Sequence, residues 1–308
     1  MTDIPIIDFK NFETGDEAHR RKIAAQLDWA ASEVGFMYVD NLGIDQNLLA
    51  EAFASSAAFF DRQKAEKKRW DYIEPINHGY QGPGDQRLDP TIAPDLKEAF
   101  TMRDIHVNED KPALWPSPAF LDTASRFFDE ALRGSNIVME AFALALDLPV
   151  DFFRNCHYGQ NVALRYLRYP ACETPPAPDQ LGCGAHTDFG TITLLFQDNV
   201  GGLQVQGRDG EWRDAVYIPG TIIINTADLV ATWTNDRYCS TPHRVKPMTA
   251  DRDRYSIAYF VDPDTETRVS AFPSCTSDDN PARYPDTTAG AYVQQRIADS
   301  NNKLESGY

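Results

Sequence analysis

Hydrophobic residues recur along this chain in two rhythms, and the change from one to the other falls near its middle. In the first half Ile23, Leu27, Ala30 and Val34 repeat at helical spacing, behind Thr14 and Glu17 in the arrangement of a capping box. Asp45 is placed to cap a second helix that carries Leu48, Leu49, Ala52, Phe53, Phe59 and Phe60. A third starts at Ser117 with Pro118 in the first helical position, and its apolar period runs to Leu146, with Gly134 as the place where it should bend or break. Short apolar runs at 4–9 (IPIIDF) and 35–42 (GFMYVDNL) read as strands. Residues 71–95 hold Pro75, Gly79, Gly82, Pro83, Gly84, Pro90 and Pro94, which predicts a long irregular loop, with a lid over a site as its functional reading.

From Asn161 onward the rhythm is that of β-structure. The segments NVALRYLRY, TITLLF, GLQVQ, EWRDAVYI, TIIIN, HRVKP and RYSIAYFV are separated by Gly, Asp, Asn and Pro. Short strands at this spacing suit a barrel or jelly roll better than a parallel sheet. The expected organisation is one domain of mixed α/β class with a mainly β core. Residues 1–155 form a largely helical wrapping region, 156–270 the β-core, and 271–308 a C-terminal extension in which a short helix is expected over 288–297.

Composition narrows the function classes. A 42% hydrophobic and 24% charged chain is ordinary globular protein, which excludes wholesale disorder. The net charge of −17 would repel phosphate backbones. The densest basic cluster, Arg62 to Arg69, follows Asp61 and is interrupted by Glu66, so no nucleic-acid partner is expected. The apolar run at 144–150 is short and broken by Asp147, and the N-terminus has no basic region ahead of an apolar stretch, so neither a membrane span nor a signal peptide is expected. Cys156, Cys172, Cys183, Cys239 and Cys275 are odd in number and contain no CxxC, a pattern that fits free thiols in a reducing, cytoplasmic compartment.

The candidate chemistry begins at His186-Thr187-Asp188. Residues two apart on a strand face the same way, so this pair can grip one ion, although a surface histidine beside a solvated aspartate is the bland alternative. His243, several strands later, adds a third donor. Two imidazoles and a carboxylate form the facial triad of non-haem Fe(II) oxygenases, and zinc accepts the same set. Cys183 lies three residues before His186, which on strand parity puts it on the opposite face as a small buried hydrophobe. Arg254 and Ser256 share one face of a later strand, where guanidinium and hydroxyl could take a carboxylate ligand; an internal salt bridge is the competing reading.

Taken together, HTDFGTITLLFQDNVGGLQVQ, INTADL, STPHRV and RYSIAYF resemble, in order and spacing, the isopenicillin N synthase-like branch of the 2-oxoglutarate/Fe(II)-dependent dioxygenases. The likeness extends to IPIIDF, GFMYVDN, HGYQ and KEAF, and is densest over 164–261. It implies a double-stranded β-helix (jelly roll) with Fe(II) on His186, Asp188 and His243. It further implies 2-oxoglutarate as co-substrate, its distal carboxylate on Arg254 and Ser256 with help from Tyr169, and O2 as oxidant. Many members carry Asn two residues before that Tyr; here the position is Leu167, which removes one polar contact.

The implied reaction is hydroxylation of a small organic molecule, with desaturation or ring formation as variants, and release of succinate and CO2. Halogenation is disfavoured because Asp188 fills the position where halide would bind. By analogy Tyr80, Phe100, Trp233 and Phe260 would line the substrate pocket, against the general tendency of aromatics to be core. Strand parity adds Arg165, as a cation that compensates for Leu167 or faces the substrate, with an exposed strand residue as the competing reading, and Arg165 with Arg168 favours a substrate bearing an acidic group. Two other readings stay open: an Fe(II) oxidase of the same fold whose Arg254 and Ser256 hold the substrate's own carboxylate, and a non-catalytic metal site. Oligomeric state is not legible.

Overall fold

A computed structural model describes residues 4–86, 88, 92–172, 180–248 and 252–302 of the chain. Of the loop expected over 71–95, Pro90 lies outside the described residues. Six α-helices are described: α1 (Glu17–Glu33), α2 (Gln46–Phe60), α3 (Lys64–Lys67), α4 (Pro118–Ala145), α5 (Asp228–Trp233) and α6 (Ala289–Asn302). The strands are β1 (Ile6–Asp8), β2 (Phe36–Asp40), β3 (His78–Gln81), β4 (Glu98–Arg103), β5 (Ala163–Tyr169), β6 (Cys183–His186) and β7 (Ile192–Gln197). They continue with β8 (Leu203–Gln206), β9 (Trp212–Asp214), β10 (Ile222–Thr226), β11 (His243–Val245), β12 (Arg254–Val261), β13 (Arg268–Val269) and β14 (Thr287–Thr288). No described helix is long and apolar enough to cross a membrane.

Two sheets face each other. The larger has the order β1-β2-β10-β7-β12-β5-β4-β3 and the smaller β6-β11-β8-β9. Except for the parallel β1–β2 pair, neighbours in both run antiparallel. This is the jelly-roll core flanked by helices, and the region 1–155 also contributes β1 to β4, half of the large sheet.

Alternation along the large sheet divides its side chains between two cores. On β12, Ile257, Tyr259 and Val261 join the apolar layer beneath the helices, where Tyr259 donates to the Phe128 carbonyl of α4 at 3.0 Å. Arg254, Ser256, Ala258 and Phe260, at the alternate positions, line the space between the sheets. Phe36, Tyr38, Leu167, Leu203, Val205 and Val245 close that space from several strands. One face of each strand therefore stabilises the fold against α1, α2 and α4, and the other builds the site.

Local chemistry explains most helix ends and corrects several expectations. Asp45 caps α2 by accepting from the Asn47 and Leu48 amides, and Ser117 caps α4 by accepting from Phe120. The cap of α1 is Asp16, which accepts from the His19 amide at 2.8 Å; Thr14 sits too early to reach the first turn. Gly134 does not break α4, which runs unbroken through it. It lets the helix approach its neighbour, since a Cβ there would lie 2.8 Å from Ile44 Cδ1. Within 71–95, β3 adds a regular edge strand, because His78 to Gln81 find a partner in β4 that the local Pro and Gly content does not reveal. The C-terminal helix packs on its own chain, with Ala289 and Val293 in the core.

Candidate active site

His186 ends β6 and His243 opens β11, and the two face each other in register. Their ring centroids are 4.3 Å apart. Asp188 Oδ1 lies 3.8 Å from His186 Nε2 and 3.7 Å from His243 Nε2. One donor atom from each residue falls within 4.8 Å of the others, the only such group of three among the described residues. The inner shape of the site is held by hydrogen bonds from outside it. His186 Nδ1 meets the Gly184 carbonyl at 2.8 Å and His243 Nδ1 the Thr241 carbonyl at 3.2 Å. A carbonyl can only accept, so each Nδ1 carries the proton and each Nε2 presents a lone pair to the common centre. Asp188 Oδ2 accepts from Thr193 Oγ1 at 2.7 Å and Asn225 Nδ2 at 2.8 Å, leaving Oδ1 for the same centre.

The protonation states suit a cation. Burial lowers both histidines: His186 falls below its ordinary value, and His243, also pressed by His186, drops to about 4. Burial alone would raise Asp188, but the two imidazoles and the Thr193 and Asn225 hydrogen bonds outweigh it, and its carboxyl sits below the usual range. Near neutral pH the group is two neutral imidazoles and one carboxylate, a donor set that fits Fe(II) and keeps coordination positions open. Cys183 departs from its expected place. A step of two residues along β11 opposes a step of three along β6, and this bulge brings Cys183 onto the same wall as His186. Its Sγ takes a hydrogen bond from Lys97 at 3.1 Å, and burial raises its thiol pKa.

Behind the triad lies a cavity of about 550 Å³ that also contains Arg254, Ser256, Tyr169 and Leu167. Arg254 is 1% exposed. It donates to Gln197 Oε1 at 3.1 Å and to Ser256 Oγ at 3.3 Å, and its plane sits 4.8 Å from the Tyr169 ring centroid. Its Nε has no partner, and among the described residues no carboxylate lies within ion-pairing distance. The salt-bridge reading of Arg254 therefore fails here, and the guanidinium has the surroundings of an anion receptor.

A second cavity of about 690 Å³ opens in front of the triad, and Arg165 and Phe260 line both spaces. Tyr80, Phe100 and Trp233 do not line either. Tyr80 and Phe100 occupy the helix-facing positions of β3 and β4, where their rings pack on Phe59; Gln81 and Thr101, one residue on, face the cavity instead. Trp233 is buried against Phe152, Phe153 and Phe272. Arg168 is committed elsewhere, to Asp253 at 2.6 Å. The segment 71–95, expected as a lid, contributes Tyr72, Asn77, Gln81, Gln86 and Leu88 to the lining.

Comparison with known proteins agrees with this geometry. The model of the 2OG-Fe(II) oxygenase superfamily matches residues 158–263, and that of the non-haem dioxygenase in morphine synthesis N-terminal region matches residues 4–118. A 2-oxoglutarate-Fe(II) type oxidoreductase of Metarhizium majus is 30% identical, over 99% of this chain and 90% of its own. Validamycin A dioxygenase of Streptomyces hygroscopicus is 32% identical, over 86% and 78%. The crystal structure of a full-length Neurospora crassa protein in complex with alpha-KG and thymine superposes with a TM-score of 0.87 at 33% identity, covering 96% of each chain. This chain belongs to the 2-oxoglutarate/Fe(II) oxygenase superfamily and is an iron-dependent oxidoreductase that uses 2-oxoglutarate and O2.

Proposed function

We propose that His186, Asp188 and His243 hold Fe(II), that Arg254, Ser256 and Tyr169 receive the distal carboxylate of 2-oxoglutarate, and that the front cavity takes a small organic molecule for hydroxylation. The observation that carries this reading is Arg254: a buried guanidinium with no acid beside it among the described residues, in one cavity with the metal-binding donors. When bound, iron with 2-oxoglutarate and O2 supplies the oxidising power for attack on a C–H bond, releasing succinate and CO2.

The chain's own contribution is orientation and exclusion of water. Gly184 and Thr241 carbonyls fix the two imidazole tautomers, and Thr193 and Asn225 fix the carboxylate. Leu167 offers only apolar contact beside Arg254, so the carboxylate would depend on Arg254, Ser256 and the Tyr169 hydroxyl. The compounds named for similar proteins, thymine bound to one and validamycin A in the name of another, support a small organic molecule. The five free cysteines support a cytoplasmic location.

The test is an anaerobic titration of the Fe(II)-loaded protein with 2-oxoglutarate, following the visible charge-transfer band of the bidentate chelate. A saturable band is expected. Tight iron binding without a band would favour the oxidase in which Arg254 and Ser256 hold a substrate carboxylate, and failure to bind iron would overturn the assignment of the triad.

A further inference from the structure

The front cavity is lined by several charged groups, and among the described residues only one of them is unbalanced. Asp188 is turned toward the imidazoles of the triad. Arg103 is neutralised by Asp262 at 2.9 Å. Arg165, in the middle of β5, has no ion pair among the described residues, and its Nε is buried without a hydrogen-bond partner. Among those residues its side-chain partners are two neutral amides: Arg165 Nη2 donates to Gln81 Oε1 at 3.1 Å and to Gln86 Oε1.

That arrangement fixes the polarity of the wall. With both amide oxygens turned to the guanidinium, the NH2 groups of Gln81 and Gln86 remain as donors, and Thr101 adds a hydroxyl. A cation ringed by donors recognises an acceptor-rich, negatively charged group. Apart from the triad, Thr187, Asn77 and the Arg103–Asp262 pair, the rest of the lining is apolar or aromatic, with Phe189, Phe260 and Leu88. Such a site matches an apolar body carrying one anionic head.

We propose that the substrate is a small organic monocarboxylate, its carboxylate held by Arg165 and the amides of Gln81 and Gln86, and its apolar body against Phe189 and Phe260. The inference rests on the oxygenase reading above and gives that reading a substrate class. It also assigns Arg254 and Arg165 to different acids: Arg254 takes the co-substrate and Arg165 the substrate. A neutral heterocycle would leave Arg165 without an anion.

The experiment uses the full-length Fe(II)-loaded protein under anaerobic conditions with saturating 2-oxoglutarate. Benzoate, phenylacetate and 3-phenylpropionate are titrated beside their carboxamides, with thymine as a neutral heterocycle, and the shift of the charge-transfer band is read. Succinate release in air is a second readout, and thermal stabilisation of the same protein a third. At least one acid is expected to shift the band while its amide does not. Arg165→Gln should weaken that acid by about tenfold or more, Arg165→Lys by less, because it keeps the charge but not the planar fork. Because Arg165 also borders the rear cavity, both variants should lose some affinity for 2-oxoglutarate, but several-fold less than they lose for the acid.

The proposal is overturned if no acid engages, if amides or thymine engage as well as acids, or if Arg165→Gln weakens 2-oxoglutarate as much as the acid. A wild-type protein with no 2-oxoglutarate band would instead overturn the co-substrate assignment. Acid binding is then still read by thermal stabilisation, so the two failures stay distinct.

Discussion

Lys97 and Asp95 form a buried ion pair, Nζ to Oδ2 at 2.6 Å, and the other oxygen of Asp95 accepts the amide of Gly184 at 2.8 Å. The segment ahead of β4 is thereby tied to the strand that carries His186. Removing one partner of such a pair leaves a charge uncompensated in a poor solvent for it, at a cost of about 3 kcal/mol or more. Lys97→Met should lower the melting temperature and weaken Fe(II) binding together. Urea denaturation and iron titration of the same preparation check this; unchanged iron affinity in a destabilised variant would show that the pair supports the fold alone.

Replacing His186 or Asp188 by Ala should abolish iron binding and turnover together, since each removes one of three donors. Asp188→Ala also strands the Thr193 hydroxyl and the Asn225 amide, at about 1–3 kcal/mol for a buried unsatisfied group. Iron content and succinate release are the measurements. Retained activity in either variant would refute the metal assignment.

Arg254→Ala should leave iron affinity nearly intact and raise the concentration of 2-oxoglutarate needed. Loss of a buried charge-assisted contact of about 3 kcal/mol corresponds to roughly a hundredfold. Titration of the charge-transfer band reads the effect, and an unchanged requirement would place the co-substrate carboxylate elsewhere.

A pH effect follows from His157, which lines neither of the two cavities around the triad. It is buried between the Phe153 carbonyl at 2.6 Å and Thr191 Oγ1 at 2.8 Å, and burial lowers its pKa to about 4. The unfolded chain, with an ordinary histidine near 6.5, takes up a proton before the folded chain does. Its contribution to stability is therefore complete above about pH 6.5 and is lost as pH falls toward about 4, on the order of 3 kcal/mol across that window. His157→Gln should flatten this part of the profile. Denaturant midpoints at about pH 7.5 and about pH 5 for both proteins check it, on either side of the ordinary histidine value; parallel profiles would refute the assignment.

Phe100 and Tyr80 show where reading from sequence stops. Both stand in strands that border the cavity, and both turn their rings into the helix-facing core. Side chains on a strand alternate, so a one-residue difference in register exchanges the two faces. The segment HGYQ carries an aromatic and an amide side by side, and nothing local says which faces inward. Only pairing with β4, and β4 with β5, decides for Gln81 and Thr101. Cys183 illustrates the converse, a parity argument undone by a single extra residue in β6.

Elements whose signals are local can be read directly from the order of residues. These are the helical period of α1, α2 and α4, the caps Asp45 and Ser117, the β-rich second half, and the alternation that sets Arg254 and Ser256 on one face. His186, Asp188 and His243 belong with them as candidate donors, because residue type and short spacing carry that chemistry. Which charges are balanced emerges only on folding. Arg168 meets Asp253, Arg103 meets Asp262, and Arg165 meets neutral amides, although all three arginines lie in adjoining strands. The physical reason is that the field at a buried charge is set by whatever the fold brings within a few ångströms, and those partners come from loops and strands far away along the chain.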